Sequence, residues 1–256
     1  MMIRKLGLFF SVIVLIVACT TTTDEYELER TETRTWSAAG ITQITAATEN
    51  GNILVSTTTG NLITAEITRK CTAEDSVDAE EHIDSIVVTD TVEAGELTLQ
   101  AEMPDDGDRD YQADFDMTSP QSIYLDLSTV NGNISVEDMI AGAMIRIVNG
   151  TITTQNLRGG INGLIVNGTI DCDMAALTAA ELAILALTNG DVTLSLPSDV
   201  SASFDASTVD GSVTVTGFSA VTYTINEPDH KAGTIGTGEA TITITVVNGD
   251  ITIQAR

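Results

Sequence analysis

Aspartate is the side chain in this sequence most able to do chemistry. Six of them, Asp105, Asp106, Asp108, Asp110, Asp114 and Asp116, crowd into DDGDRDYQADFD. A hard cation such as Ca²⁺ wants several carboxylate oxygens, and Asp106, Asp108 and Asp110 have the opening spacing of a calcium loop. That loop needs Gly at its sixth position and Glu at its twelfth, which here are Tyr111 and Met117. The stretch therefore reads as a solvated acidic loop, with calcium binding as the alternative. A second set, Asp171, Asp173, Asp191 and Asp250, could line one edge of the molecule as the paired carboxylates of a polysaccharide-active enzyme. Such an enzyme usually also uses cationic and aromatic groups. Only 11 Lys and Arg stand against 37 acidic residues, and aromatics make up 4%.

The remaining reactive groups are sparse. His82 and His230 are the only histidines, and no Gly-x-Ser-x-Gly elbow supplies a nucleophile, so both read as surface residues. Gly236 and Gly238 lack the setting of a nucleotide loop. Cys172 occupies an apolar strand position and reads as a small core residue, with a bridge to Cys71 as the alternative. Asn149-Gly-Thr and Asn167-Gly-Thr match glycosylation acceptors but are better explained as corners. No catalytic, cofactor-binding or metal-ligating residue is predicted.

What recurs is structural. Val-Asn-Gly or a close variant appears around Gly51, Gly132, Gly150, Gly168, Gly190, Gly211 and Gly249. The predicted corner residues are Asn131 and Gly132, Asn149 and Gly150, Asn167 and Gly168, Asn189 and Gly190, Asp210 and Gly211, and Asn248 and Gly249. Asn-Gly and Asp-Gly tolerate positive φ and make tight corners. Two and four residues after each Gly come mainly apolar side chains, such as Ile134 and Val136, Ile170 and Cys172, or Ile251 and Ile253, with Thr154 in the series as well. That is the period of a strand with one buried side. From Gly132 the steps are 18, 18, 22, 21 and 38 residues, the last reading as two steps of about 19. The 81 residues between Gly51 and Gly132 are either degenerate or built differently.

These elements predict an all-β fold, a β-solenoid or β-helix-like stack with rungs of about 18–22 residues. Residues 37–256 form one such domain, with repeats clearest from 122 to 256. A short helix is expected over Thr72–Ile83, entered at Thr72, and Ala175–Ala183 reads as a helix or a widened rung. The net charge of −26 argues against nucleic acid and anionic lipid headgroups as partners.

The N-terminus gives an address. Arg4 and Lys5 precede an apolar stretch, Leu6 to Val17, followed by Ile16-Val17-Ala18-Cys19. Residues 1–18 have the layout of a signal helix. A small residue followed by Cys resembles the lipobox of bacterial lipoproteins. The resemblance implies cleavage before Cys19 and its acylation, with residues 19–36 as lipid anchor and polar tether. The outer membrane is the expected destination, because Thr20 replaces an acidic retention signal.

The order of the repeats resembles a bacterial envelope family labelled "putative adhesin". The resemblance rests on MTSPQSIYLDLSTVNGNISV, LTNGDVTLSLPSDVSASFDASTVDGSVTV and KAGTIGTGEATITITVVNGDITI. It implies a non-enzymatic solenoid domain on an exported or membrane-tethered protein, without catalytic or cofactor residues. The expected function is adhesion or interaction with an unidentified protein or glycan partner in the envelope. The alternatives are a β-helix polysaccharide-active enzyme and an envelope-stress accessory or scaffold protein.

Overall fold

A computed structural model describes residues 11–13, 25–107 and 109–256. Each Val-Asn-Gly unit forms one L-shaped rung. A strand runs into the corner, turns at the Gly, and a second strand runs out. Strands before the corner stack in parallel as a first sheet, and strands after it stack as a second. The fold is an all-β, solenoid-like stack.

The order of rungs in space is not their order in sequence. The Gly51 rung lies directly against the Gly132 rung, with Gln43–Asn50 pairing parallel to Tyr124–Asn131 and Ile53–Thr57 to Ile134–Glu137. The 81-residue interval is therefore a different structure, which caps that end. Asp110–Ser119 adds a parallel strand to Ile53–Thr57, then Leu62–Ala73 and Tyr26–Ser37 add antiparallel ones. Glu96–Glu102 extends the first sheet, and Val87–Glu93 folds back on it.

At the other end the 38-residue step is not two rungs. Ala240–Asn248 inserts between Leu182–Asn189 and Ala202–Asp210, parallel to both. Ile251–Ala255 likewise lies between Val192–Leu196 and Val213–Thr216. The intervening residues form a cap, in which His230–Ile235 pairs antiparallel with Ala202–Asp210 and Val221–Asn226 pairs outside it. Antiparallel strands suit this role because a hairpin reverses within a few residues, whereas a parallel strand needs a crossover.

The inward residues form one apolar core. Ile44, Leu127, Ile145, Leu185 and Ile244 line it from the first sheet, with Ile53, Val136, Ile152, Cys172 and Leu194 from the second. Cys71 and Cys172 are both buried and unbridged. Burial pushes the Cys71 thiol up and that of Cys172 up to about 12. Since the thiolate is the reactive form, a thiol reagent at ~pH 8 should label neither in the folded protein and both in denaturant. Native-state labelling of Cys172, read by mass spectrometry of its peptide, would contradict this packing.

Three expectations change at the level of local structure, and one reading with two alternatives is decided. Tyr26–Ser37 covers most of the expected tether, residues 19–36, but is a strand paired along its whole length with Leu62–Ala73. Its polar composition hides an alternation in which Leu28 and Trp36 are buried. The charges between them are paired, Arg30 with Asp84 at 2.5 Å and Arg34 with Asp90 at 2.8 Å. The Trp36 indole N–H donates to Asp90 at 2.9 Å. The short helix is Ser76–His82, entered at Asp75, whose carboxylate accepts from the N–H groups of Val77 and Asp78. Thr72 still belongs to the preceding strand. Of the two readings of Ala175–Ala183, the widened rung holds, because these residues contain no helix. Of the expected signal helix, only Ser11–Ile13 is described, and it is a short strand antiparallel to residues 31–33. The rest of that segment and Cys19 lie outside the described residues.

Candidate interaction face

The corners are built from three stacked rows. In the first, the glycines follow one another at φ between +126° and +154°. Each packs on the carbonyl of the glycine before it in space, with Ala113 taking that place beneath Gly51. In the second, the asparagine side chains form a ladder. Asn131 Nδ2 donates to Asn50 Oδ1, Asn149 to Asn131, Asn167 to Asn149, Asn189 to Asn167, and Asn248 to Asn189, all at 2.7–2.9 Å. The nitrogens that would carry a glycan on Asn149 and Asn167 are thus committed to the ladder. In the third, Asn52, Asn133, Asp191 and Asp250, each following a Gly, accept from the backbone of the next rung, as in Asn133 Oδ1 from the Thr151 N–H at 3.0 Å, while Thr151 and Thr169 bond each other through their hydroxyls at 3.2 Å.

The ladder ends at Asp210, in register with Asn248. An ionised carboxylate has no proton to donate to Asn248 Oδ1. Asp210→Asn should add one more bond and stabilise the protein by about 0.5–1.5 kcal/mol. A urea midpoint that stays put or falls would show that the ladder is not continuous there.

Most of the predicted chemical groups are engaged in structural contacts. Asp191 and Asp250 are corner acceptors, for the N–H groups of Asp250 and Ser212 at 2.8 and 2.7 Å. Asp173 pairs with Arg256 at 2.7 Å, and Asp171 is exposed on the second sheet. The acidic loop is divided as well. Asp106 accepts from Arg109 and Tyr111, while Asp114 caps the Asn52 N–H at 2.7 Å and pairs with Lys70. Asp108 lies outside the described residues. Among those described, no three His, Cys, Asp or Glu side chains are gathered as metal ligands. His82 Nδ1 is 2.8 Å from the Asp78 carbonyl, and His230 Nε2 is 2.9 Å from Asp205. Gly236 and Gly238 form the turn into the inserted strand at positive φ.

Arg109 grips Asp78 with two bonds, at 2.7 and 3.0 Å, and ties the acidic loop to the short helix. The Arg109 hydrogen bonds hold the Asp78 carboxyl below its usual value. A depressed folded-state value gives a contribution present above ~pH 4 and lost as pH falls through the lowered value. Arg109→Gln should therefore destabilise at neutral pH and cost less below ~pH 3. Equal losses at both pH values, from denaturant melts, would place the role of Arg109 in packing rather than charge.

The feature left unassigned by the predicted chemistry lies on the outside of the first sheet. From Gly132 onward, the Val or Thr two residues before each corner Gly points outward, next to an inward residue such as Ile147 or Ile165. Register places Val130, Val148, Val166, Thr188, Val247 and Val209 in one row across six rungs. At about 4.8 Å per rung this row is roughly 24 Å long. Its valines are 39–72% exposed. Leu164 and Ala186 continue the apolar surface, and with Val130, Val148, Val166 and Val247 they line a shallow groove of about 560 Å³. Beside it, Met144, Leu182 and Ile184 border a second hollow of about 260 Å³. The single cation in the groove, Arg146, is paired with Asp126 at 2.5 Å. The outer face of the second sheet is polar by contrast, with Thr153, Asp171, Thr193, Thr252 and Thr214 at equivalent positions.

The sequence held one signal for this face. Ile147-Val148, Ile165-Val166 and Val246-Val247 are adjacent apolar pairs, and two neighbours on a strand cannot both point inward.

Two sets of parallel strands joined at a stacked corner, with one apolar outer face, define an all-β, solenoid-like fold. The Toastrack DUF4097 family model matches residues 23–254, and the chain belongs to that family. No curated protein matches it. Among solved structures it is similar to a "putative cell adhesion protein" from Clostridium sporogenes, at 11% identity and a TM-score of 0.48, covering 89% of this chain and 100% of that one. It is also similar to a "putative adhesin" from Bacteroides fragilis, at 11% identity and a TM-score of 0.34, covering 88% and 97% respectively.

Proposed function

We propose that this chain is a non-enzymatic, lipid-anchored envelope protein that binds a protein partner through the outer face of its first sheet. The valine row carries this reading. Contiguous apolar surface on an otherwise strongly acidic molecule costs solvation and marks an interaction site. A protein partner fits better than a glycan, because no aromatic ring lines the groove as a sugar platform. The structural duties of Asp191 and Asp250 as backbone acceptors, and of Asp173 as the partner of Arg256, support a role other than glycan cleavage. The lipobox-like segment supplies the anchor, with Cys19 acylated and the domain held at the membrane, the outer membrane where the cell has one. Adhesion and envelope scaffolding are both forms of this activity.

The test is photo-crosslinking in intact cells. A crosslinker at Val148 or Val166 should capture a discrete partner, and one at Thr193 on the polar face should not. Cys19→Ser should release the protein from the membrane fraction. Equal capture from both faces, or none from either, would remove the support for a dedicated face.

A further inference from the structure

A separate cavity of about 700 Å³ opens on the opposite side of the rungs, where the second-sheet strands turn back toward the first. Thr57, Gln121, Asp138, Asn156, Arg158 and Glu181 line it. Arg158 stands apart from the other cations. Among the described residues, seven of the other eight Lys and Arg side chains hold a carboxylate within ion-pair distance. The eighth, Lys231, bonds Asn226 and the Glu227 carbonyl. Arg158 has no such partner although acids outnumber cations more than threefold, and it faces the largest of these cavities.

The opposite charges in the same cavity are held in place. Arg256, anchored on Asp173, donates to Asn156 Oδ1 at 2.9 Å, which turns Asn156 Nδ2 toward Asp138 Oδ1 at 3.1 Å. The other Asp138 oxygen is free of protein hydrogen bonds. Glu181 Oε2 accepts the Thr178 N–H, and its second oxygen is likewise free of them. Asp138, Asn156 and Ala180, three of the four non-glycine residues at positive φ, sit at or beside this cavity. Left-handed backbone is costly for Ala180, and such strain gathers at binding sites.

A guanidinium with five donors recognises a carboxylate, and Asp138 and Glu181 recognise an ammonium. A simple anion would be repelled by the two acids, and a simple cation by Arg158. We propose that this cavity binds a small zwitterion, an α-amino acid or short peptide with its carboxylate on Arg158 and its ammonium toward Asp138 and Glu181. The volume suits a ligand of that size.

The test uses the full chain in detergent and titrates L-alanyl-L-alanine by calorimetry, with acetate and ethylammonium as single-charge comparators. Saturable binding of the dipeptide is expected, at least about tenfold tighter than either comparator. Arg158→Gln and Asp138→Asn should each weaken it by about tenfold or more. Because Arg158 has no partner to lose, its variant should melt at the wild-type midpoint. Acetate binding as tightly as the dipeptide, binding unchanged in Arg158→Gln, or no saturable dipeptide binding would each overturn the proposal. None of these results depends on the valine face.

Discussion

Ending the chain after Glu239 should unfold the second half of the solenoid rather than shorten it by one rung. In a sequentially ordered solenoid the last repeat is the outermost, and losing it costs one interface. Here residues 240–256 form a rung inside the stack, hydrogen-bonded on both sides in both sheets. Removing them would leave Leu182–Asn189 and Ala202–Asp210 facing an empty slot with unpaired edges. It would also delete Ile242, Ile244, Val246, Ile251 and Ile253, all nearly inaccessible to solvent. Each such side chain stabilises by about 1.5–3 kcal/mol, so the loss approaches the whole stability of a typical domain at about 5–15 kcal/mol. The expected result is loss of the cooperative urea transition and rapid proteolysis throughout residues 143–239. A truncated chain that keeps a cooperative transition with a slightly smaller m-value would mean that the rungs close up and that the insertion is not structurally required.

Gly150→Ala should be among the most damaging single substitutions in the corners, together with Gly168→Ala and Gly190→Ala. A Cβ at position 150 would lie 1.8 Å from the Gly132 carbonyl oxygen, and one at 168 would lie 1.7 Å from that of Gly150. Both contacts are with backbone of the neighbouring rung, which can yield only if the rungs separate. Separation would stretch the Gly132 N–H bond to the Asn149 carbonyl, now 3.0 Å, and the Asn149–Asn131 side-chain bond, now 2.8 Å. The backbone at both glycines is also left-handed, at φ +150° and +145°. The combined penalty should exceed about 4 kcal/mol, the range reserved for special mechanisms. Two controls separate contact from conformation. Gly107, at φ +67° with open space around it, should lose about 1–2 kcal/mol on change to Ala. Gly60, with nothing nearer than 3.7 Å and no unusual φ, should change by less than about 0.5 kcal/mol. Similar urea midpoints for Gly150→Ala and Gly107→Ala would show that rung contact is not what selects glycine.

The thiol, Asp210 and Arg109 experiments probe smaller terms in the same scheme, the core, the ladder's end and the cap. The valine row and the Arg158 cavity lie on different surfaces, so their tests are independent. Val148→Thr keeps the β-branched shape of an exposed strand residue while removing its apolarity, and so separates partner binding from folding.

The sequence by itself determined the rung. Asn-Gly spacing, period-two alternation and the burial of Cys172 are local properties, set by a few adjacent residues and the geometry of a strand. The tertiary structure decided how the rungs are stacked. An interval of 81 or 38 residues contains no record of whether it adds rungs or caps an end, because neighbours in a parallel sheet can be far apart in the chain. The strand at Tyr26–Ser37 was hidden for a related reason. Its Arg and Glu side chains look solvated in isolation, and only the fold brings Asp84 and Asp90 to them. The same holds for the sites. The outward valines are visible as adjacent apolar pairs, but their alignment into one continuous face depends on register. Arg158 looks ordinary in the sequence, and it becomes distinctive only when every other described cation has found its partner in space.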